Sequence, residues 1–236
     1  MTVASWNVLH RVHGENWDED VLVRCPDESE RIAAVTALLE ERDEQVIALQ
    51  VVSGDQLAAL RGALTGRTVH ALRYPRVPAP RRGICSLRDP GEYLVLLVDG
   101  PSRQIAAESF ENDLGKGALA VETDGMLIVA THVSGNQRRT HQLARLAELA
   151  ATPTGCPAVL LGDFNTGRAT VASALGTGFA VVDLPPDALP TRPHTSGSTS
   201  RWIDHVVVHG AGVSSAAVES TDGLSDHNLI SASLIV

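Results

Sequence analysis

The peptide Leu160-Leu161-Gly162-Asp163-Phe164-Asn165 carries an acid and an amide two residues apart, where an apolar run stops at a glycine. From there both side chains can address one pocket, Asp163 accepting a proton and Asn165 donating to a phosphoryl oxygen. An ordinary Asp-x-Asn turn has the same composition, because Asp, Asn and Gly are turn formers. Two further peptides weigh toward chemistry: Arg201-Trp202-Ile203-Asp204-His205 opens a valine-rich run, and Ser225-Asp226-His227-Asn228 precedes the last apolar run. Paired with Asp204, His227 would have its tautomer fixed and its protonated form favoured, which suits contact with a phosphate or its transition state. Asp226 offers a carboxylate to a metal ion. Asn7 in Ser5-Trp6-Asn7 and His132 in Thr131-His132 end two more apolar runs with an amide and an imidazole. Each alone is commonly structural; the combination is what points to a site.

Strands must hold these peptides at their ends. Apolar periodicity predicts strands over 2–9, 45–52, 69–72, 93–98, 104–109, 117–122, 126–132, 158–162, 179–183, 202–208, 213–219 and 229–236. Helices are expected over 28–42, after an N-cap at Ser53, over 137–150 and over 169–175, and Asp124-Gly125 supplies a hairpin turn. Residues 74–91, rich in proline and arginine, read as a basic loop that can cover a substrate, and 185–200 as a second loop. This order suggests two packed sheets with helices outside, an α/β sandwich. No repeat and no linker composition divides the chain, so 1–236 is expected to be one domain.

Composition sets the outer limits. With 236 residues, 44% of them hydrophobic, the chain can bury a large core, and with only 3% aromatic residues that core must be mostly aliphatic. Nineteen basic against 28 acidic residues give a net charge of −9, which disfavours tight nonspecific binding to DNA. A small cation-assisted phosphate site remains compatible with that field. Cys25, Cys85 and Cys156 are odd in number and far apart, which suits a reducing cytoplasm over a disulfide framework. No apolar run reaches a membrane span, and Met1–Asn7 lack the basic-then-apolar order of a leader.

Ser-Trp-Asn, Leu-Gln, Thr-His, Gly-Asp-Phe-Asn, Arg-x-Ile-Asp and Ser-Asp-His, in that order from Asn7 to His227, resemble the endonuclease/exonuclease/phosphatase superfamily. The resemblance implies a four-layer α/β sandwich of two mixed sheets that hydrolyses phosphoesters with Mg²⁺ or Mn²⁺. Asn7 and Asp226 would lie at the metal, Asp163 would orient or deprotonate the attacking water, and Asn165 would contact the phosphate. His227, oriented by Asp204, and His132 would stabilise charge on the transferring phosphoryl group. The Ser-Trp-Asn-Val-Leu opening and the Thr-His segment followed by Arg-x-x-Gln are more similar to the deadenylase-related, RNA-processing branch. RNA or an RNA end is therefore the expected partner, and the chain is expected to act as a monomer or as a module of a larger RNA-repair polypeptide.

One position departs from the pattern. The family has Leu-Gln-Glu after the second strand, its glutamate holding the metal, whereas this chain reads Leu49-Gln50-Val51. Valine offers no oxygen to a hard cation. An inactivating substitution in an otherwise ordinary enzyme is the preferred reading. A binding module without turnover, or a site completed by another acid such as Asp55, are the alternatives, although Asp55 fits a helix-capping role better. A lipid or inositol phosphatase is a third class, without the apolar loops a membrane surface would need. Arg81, Arg82 and Arg201 are candidates for substrate contact, with Arg73, Arg76 and Arg88 nearby in sequence. Arg139 with Gln142 suits structural bonding. His194 and the run 195–200 can line the leaving-group side, while His10 and His13 lie beyond the first strand without an assigned role.

Overall fold

The computed structural model describes residues 1–83, 85–151, 155–194 and 199–235. Its first half runs β1 (Thr2–Asn7), α1 (Arg11–Trp17), α2 (Val21–Arg24), α3 (Glu28–Glu40), β2 (Val46–Ser53), α4 (Gly54–Ala63), β3 (Arg67–Arg73), β4 (Glu92–Asp99) and β5 (Arg103–Phe110). There follow β6 (Asp113–Thr123), β7 (Met126–His132), α5 (Arg139–Ala151), β8 (Ala158–Asp163), α6 (Arg168–Leu175), β9 (Phe179–Val181), β10 (Asp204–His209), β11 (Gly212–Glu219) and β12 (Leu229–Ile235).

Two six-stranded sheets form, in the orders β11-β12-β1-β2-β4-β3 and β5-β6-β7-β8-β10-β9. Strand alternation decides which side chains lie between them. Val46 and Ala48 of β2, Ile128 and Ala130 of β7, and Val159 and Leu161 of β8 join the cluster between the sheets. Their neighbours Ile47 and Leu49 face the other way, packing with Val35 and Leu39 of α3 and with Leu57 and Leu60 of α4. Leu127, Val129 and Leu160 meet Leu143 and Leu146 of α5 and Val171 of α6. Helix, sheet, sheet and helix are thus the four layers of the expected sandwich. Each fully buried Leu or Ile contributes roughly 1.5–3 kcal/mol of burial free energy.

Most predicted elements are present with shifted ends. Ser53 caps α4, its hydroxyl accepting from Gln56 N at 3.1 Å. Asp124 and Gly125 both take positive φ, 48° and 72°, as a type I′ hairpin turn requires. The short helices α1 and α2 carry no apolar periodicity and had no sequence signal. His10 caps α1 through Nδ1, which accepts from Val12 N at 3.2 Å. The basic loop is tied down: Asn16 of α1 donates to Ala79 O and accepts from Arg81 N.

Two parallel pairings bring the chemistry to one rim. β1 runs parallel to β2 with Asn7 opposite Gln50, and β7 runs parallel to β8 with His132 opposite Asp163. Antiparallel β10 then starts at the same rim, Asp204 opposite Asp163. Gly162 makes the close approach of β8 to β7 feasible: at φ 152°, an added Cβ would sit 1.9 Å from the Thr131 carbonyl oxygen. Because that neighbour is backbone, Gly162→Ala is expected to destabilise the fold by more than about 4 kcal/mol. A thermal melt checks this; a shift of only a degree or two would contradict it.

Candidate active site

Asp163, at the end of β8, is the hub of a cleft of about 500 Å³. Its Oδ2 accepts from Asn7 Nδ2 at 3.1 Å and lies 3.3 Å from His132 Nε2; its Oδ1 accepts from Asn165 N at 2.8 Å. Asn165 adopts φ 50°, a left-handed conformation that asparagine tolerates well, and its Nδ2 donates to Val133 O at 3.0 Å and lies 3.3 Å from His132 Nε2. The second unit bridges the sheets, His227 standing before β12 and Asp204 at the start of β10. His227 Nδ1 lies 2.9 Å from Asp204 Oδ2, which leaves Nε2 4.0 Å from both Asp163 and Asp226. Trp6 Nε1 donates to His227 O at 3.0 Å, and Ser225 Oγ donates to Asn7 O at 2.6 Å, locking the turn before β12 onto β1.

The electrostatics follow from burial against neighbouring charge. Burial works against a charged His227, yet Asp204, Asp226 and Asp163 together raise its pKa to about 9. Burial also pushes Asp204 up, to about 6, although His227 pulls the other way. At neutral pH the pair is an imidazolium held by a carboxylate. Asp163 is buried too, but the His132 hydrogen bond and the charges of His227 and Lys116 keep it well below the ordinary carboxylate range. Burial and then Lys116 lower His132, which favours its neutral form.

Lys116 was not singled out by sequence reasoning, although one signal was available: it is the only lysine among 236 residues. It sits between Gly115 and Gly117 on β6, and its Nζ lies 3.1 Å from His132 Nδ1 and still nearer Nε2. Burial lowers its pKa, opposed by Glu92, Asp163 and Asp113. Buried Glu92 also bonds His13 Nε2 at 2.6 Å. Burial alone would raise Glu92, but His13 brings it down to about 2 from an ordinary 4.5. Its ionised form therefore contributes stability that is complete above pH 4.5 and is lost as pH falls toward 2. Glu92→Gln is expected to cost about 3 kcal/mol at pH 7 and to flatten the stability profile across that acid window. Denaturant midpoints measured from pH 2 to 7 check it, and an unchanged acid limb would contradict it.

The structure thus gathers Asn7, His132, Asp163, Asn165, Asp226 and His227 along one cleft, with Asp204 behind His227. Arg82 and Arg201 do not line it; both are exposed, and Arg201 instead pairs its backbone with Arg192. Arg81 reaches the mouth only through Trp17, stacking 4.3 Å from the centre of that ring. Asp55 lies elsewhere, accepting from the backbone N–H groups of Arg88 and Asp89, and so does not complete the site. Gln142 is structural, accepting from Ser134 N at 2.7 Å. Residues 195–198 of the Thr/Ser run lie outside the described residues.

The chain belongs to the endonuclease/exonuclease/phosphatase family, whose model matches residues 4–227. Members of that family are phosphoric ester hydrolases and generally depend on a divalent metal. No curated protein sequence matches the chain. Among solved structures, humanized D. rerio TDP2 superposes with a TM-score of 0.72 at 15% identity, over 100% of this chain and 99% of that one. ANGEL2, a 2′,3′-cyclic phosphatase in complex with adenosine-2′,3′-vanadate, superposes with a TM-score of 0.69 at 16% identity, over 99% and 94%. A mannosyl-6-phosphatase of Bacteroides thetaiotaomicron superposes with a TM-score of 0.67 at 15% identity, over 100% of both chains.

The family's usual ion has a poor fit here. Val51 lines the cleft where an oxygen is needed, Asn7 spends its amide on Asp163 and its carbonyl oxygen on Leu9 N, and Asp226 is held by Arg192 at 2.9 Å. Asp163, Asp204 and His227 do present three ligand atoms within 4.8 Å of one another, the one such group among the described residues. Yet Asp204 Oδ2 is engaged by His227 Nδ1, which leaves the buried Asp204 Oδ1 as the one oxygen there without a partner, and Asp163 carries three contacts. Neither set offers a hard cation the oxygen-rich shell it requires.

Proposed function

We propose that the chain is a phosphoesterase acting on nucleic acid, RNA and RNA ends foremost, with turnover held down by Val51. One observation carries this reading: the acid, the amide and the paired imidazolium address one cleft from opposite sides. A phosphoryl group there would meet Asn165 Nδ2, His227 Nε2 and the Lys116 ammonium as donors. Asp163, held below the ordinary carboxylate range, is too weak a base to take a full proton at neutral pH. Its role is to orient the attacking water by accepting a hydrogen bond from it, while the proton that this water loses passes to a nonbridging oxygen of the transferring phosphoryl group. His227, charged up to about pH 9, stabilises the transferring group and can give its Nε2 proton to the leaving oxygen.

A net charge of −9 disfavours a long polyanion lying across the surface, so a terminal phosphate reaching into the cleft suits the chain better than the body of a duplex. The likeness to a 2′,3′-cyclic phosphatase makes a cyclic RNA end the first substrate to try. A second reading, a binding module for RNA ends or phosphorylated ligands, is favoured by Val51 together with the Arg192–Asp226 contact. A panel of oligoribonucleotides ending in 2′,3′-cyclic, 3′- or 5′-phosphate, alongside DNA ends and sugar phosphates, separates the two. The phosphoesterase reading expects release from at least one ribonucleotide end; saturable binding with no release from any member would support the second.

A further inference from the structure

Position 51 and position 192 depart together from what a divalent-ion centre needs. Val51 is buried at φ 62°, in a bulge of β2 between Leu49 and Val52. A β-branched residue is a rare occupant of that conformation, and here it places a side chain without donor atoms on the cleft. Across the cleft, Arg192 Nη2 lies 2.9 Å from Asp226 Oδ2 and 3.0 Å from Glu19 Oε1.

This guanidinium is held from behind. Arg192 N donates to Arg201 O at 2.9 Å and Arg201 N to Arg192 O at 2.8 Å. Thr191 Oγ1 accepts from Ile203 N and Asp204 N at 3.0 and 3.1 Å, and Thr191 O accepts from Asn228 N at 2.7 Å. The segment carrying Arg192 is therefore bonded both to the start of β10 and to the turn that presents Asp226. Nε of Arg192, buried, has no partner among the described residues. Valine at 51 leaves the cleft one acid short of the family pattern, and Arg192 places a guanidinium against two that remain, Asp226 and Glu19.

We propose that the Arg192 guanidinium stands where the rest of the family uses a divalent ion, so that this centre takes a phosphate group on arginine, lysine and histidine alone. The proposal rests on the phosphate-site reading above and adds how that site is charged. It makes Arg192 a binding residue and accounts for a centre that keeps its hydrolytic groups without its metal ligand.

Inorganic phosphate is the probe. Titrated by calorimetry into the full chain in EDTA, it is expected to bind with a Kd that changes less than about twofold when Mg²⁺ replaces EDTA, while Arg192→Gln weakens it at least about tenfold. Followed by electron paramagnetic resonance, Mn²⁺ is expected to stay free beside the wild-type chain and to bind as one equivalent to the Val51→Glu/Arg192→Gln double variant. Phosphate binding only in the presence of the ion would overturn the proposal and leave the phosphate site standing. So would one equivalent of Mn²⁺ on the wild-type chain, or full affinity in a folded Arg192→Gln variant. Should Arg192→Gln fail to fold, the two wild-type measurements still decide. Phosphate binding under no condition would overturn both readings together.

Discussion

Asp163→Asn is expected to lower phosphoester hydrolysis at least about 10³-fold, with the melting temperature changed by only a few degrees. The substitution is nearly isosteric, so packing at the end of β8 is kept. What changes is charge and acceptor capacity. Asp163 accepts from Asn7 and Asn165 N and faces His132 and His227, and a neutral amide presents an N–H where one of those donors expects an oxygen. The water that Asp163 orients loses its acceptor, and His227 loses one of the carboxylates that keep it charged. A matched assay on the most reactive member of the phosphoester panel checks this. A rate within tenfold of wild type would remove Asp163 from the mechanism.

Val51→Glu combined with Arg192→Gln is expected to raise hydrolysis at least about 10²-fold in Mn²⁺ and to make it sensitive to EDTA. The backbone at position 51 already sits in the conformation that turns its side chain to the cleft, and glutamate lacks the β-branch that makes φ 62° costly for valine. Gln at 192 keeps much of the stem while releasing Asp226 and Glu19. Val51→Glu alone is expected to gain less, because Asp226 stays engaged by the guanidinium. Rates of the single and double variants, each measured in EDTA and in Mn²⁺, check both statements. A double variant no faster than wild type on every ester would show that position 51 is not what limits turnover.

The strands were legible in the sequence because burial on both faces leaves an uninterrupted or alternating apolar run, as in Val46–Ser53 and Met126–His132. The His227–Asp204 pair was legible for a related reason: each stands at the start of such a run, and β10 and β12, antiparallel to β8 and β1, begin at the rim where those strands end. Arg192 was not. It sits in a Pro/Thr/Ser-rich loop without period, and what fixes it is hydrogen bonding through Thr191 and Arg201, a long-range arrangement that local composition does not encode. Helix α1 was missed because Arg11–Trp17 has no apolar stripe and a glycine at its centre; His10 at its cap and His13 against Glu92 hold it instead. The expectation that Arg82 and Arg201 contact substrate rested on loop charge for the first and on the Arg-x-Ile-Asp peptide for the second, and neither side chain lines the cleft.

Crystals of the protein soaked with orthovanadate test the central claim most directly. The vanadium is expected between the two halves of the cleft, its oxygens within about 3.2 Å of Asn165 Nδ2 and His227 Nε2, the reach of a hydrogen bond. Vanadate bound elsewhere, with the space between Asp163 and His227 filled by solvent at saturating concentration, would contradict it.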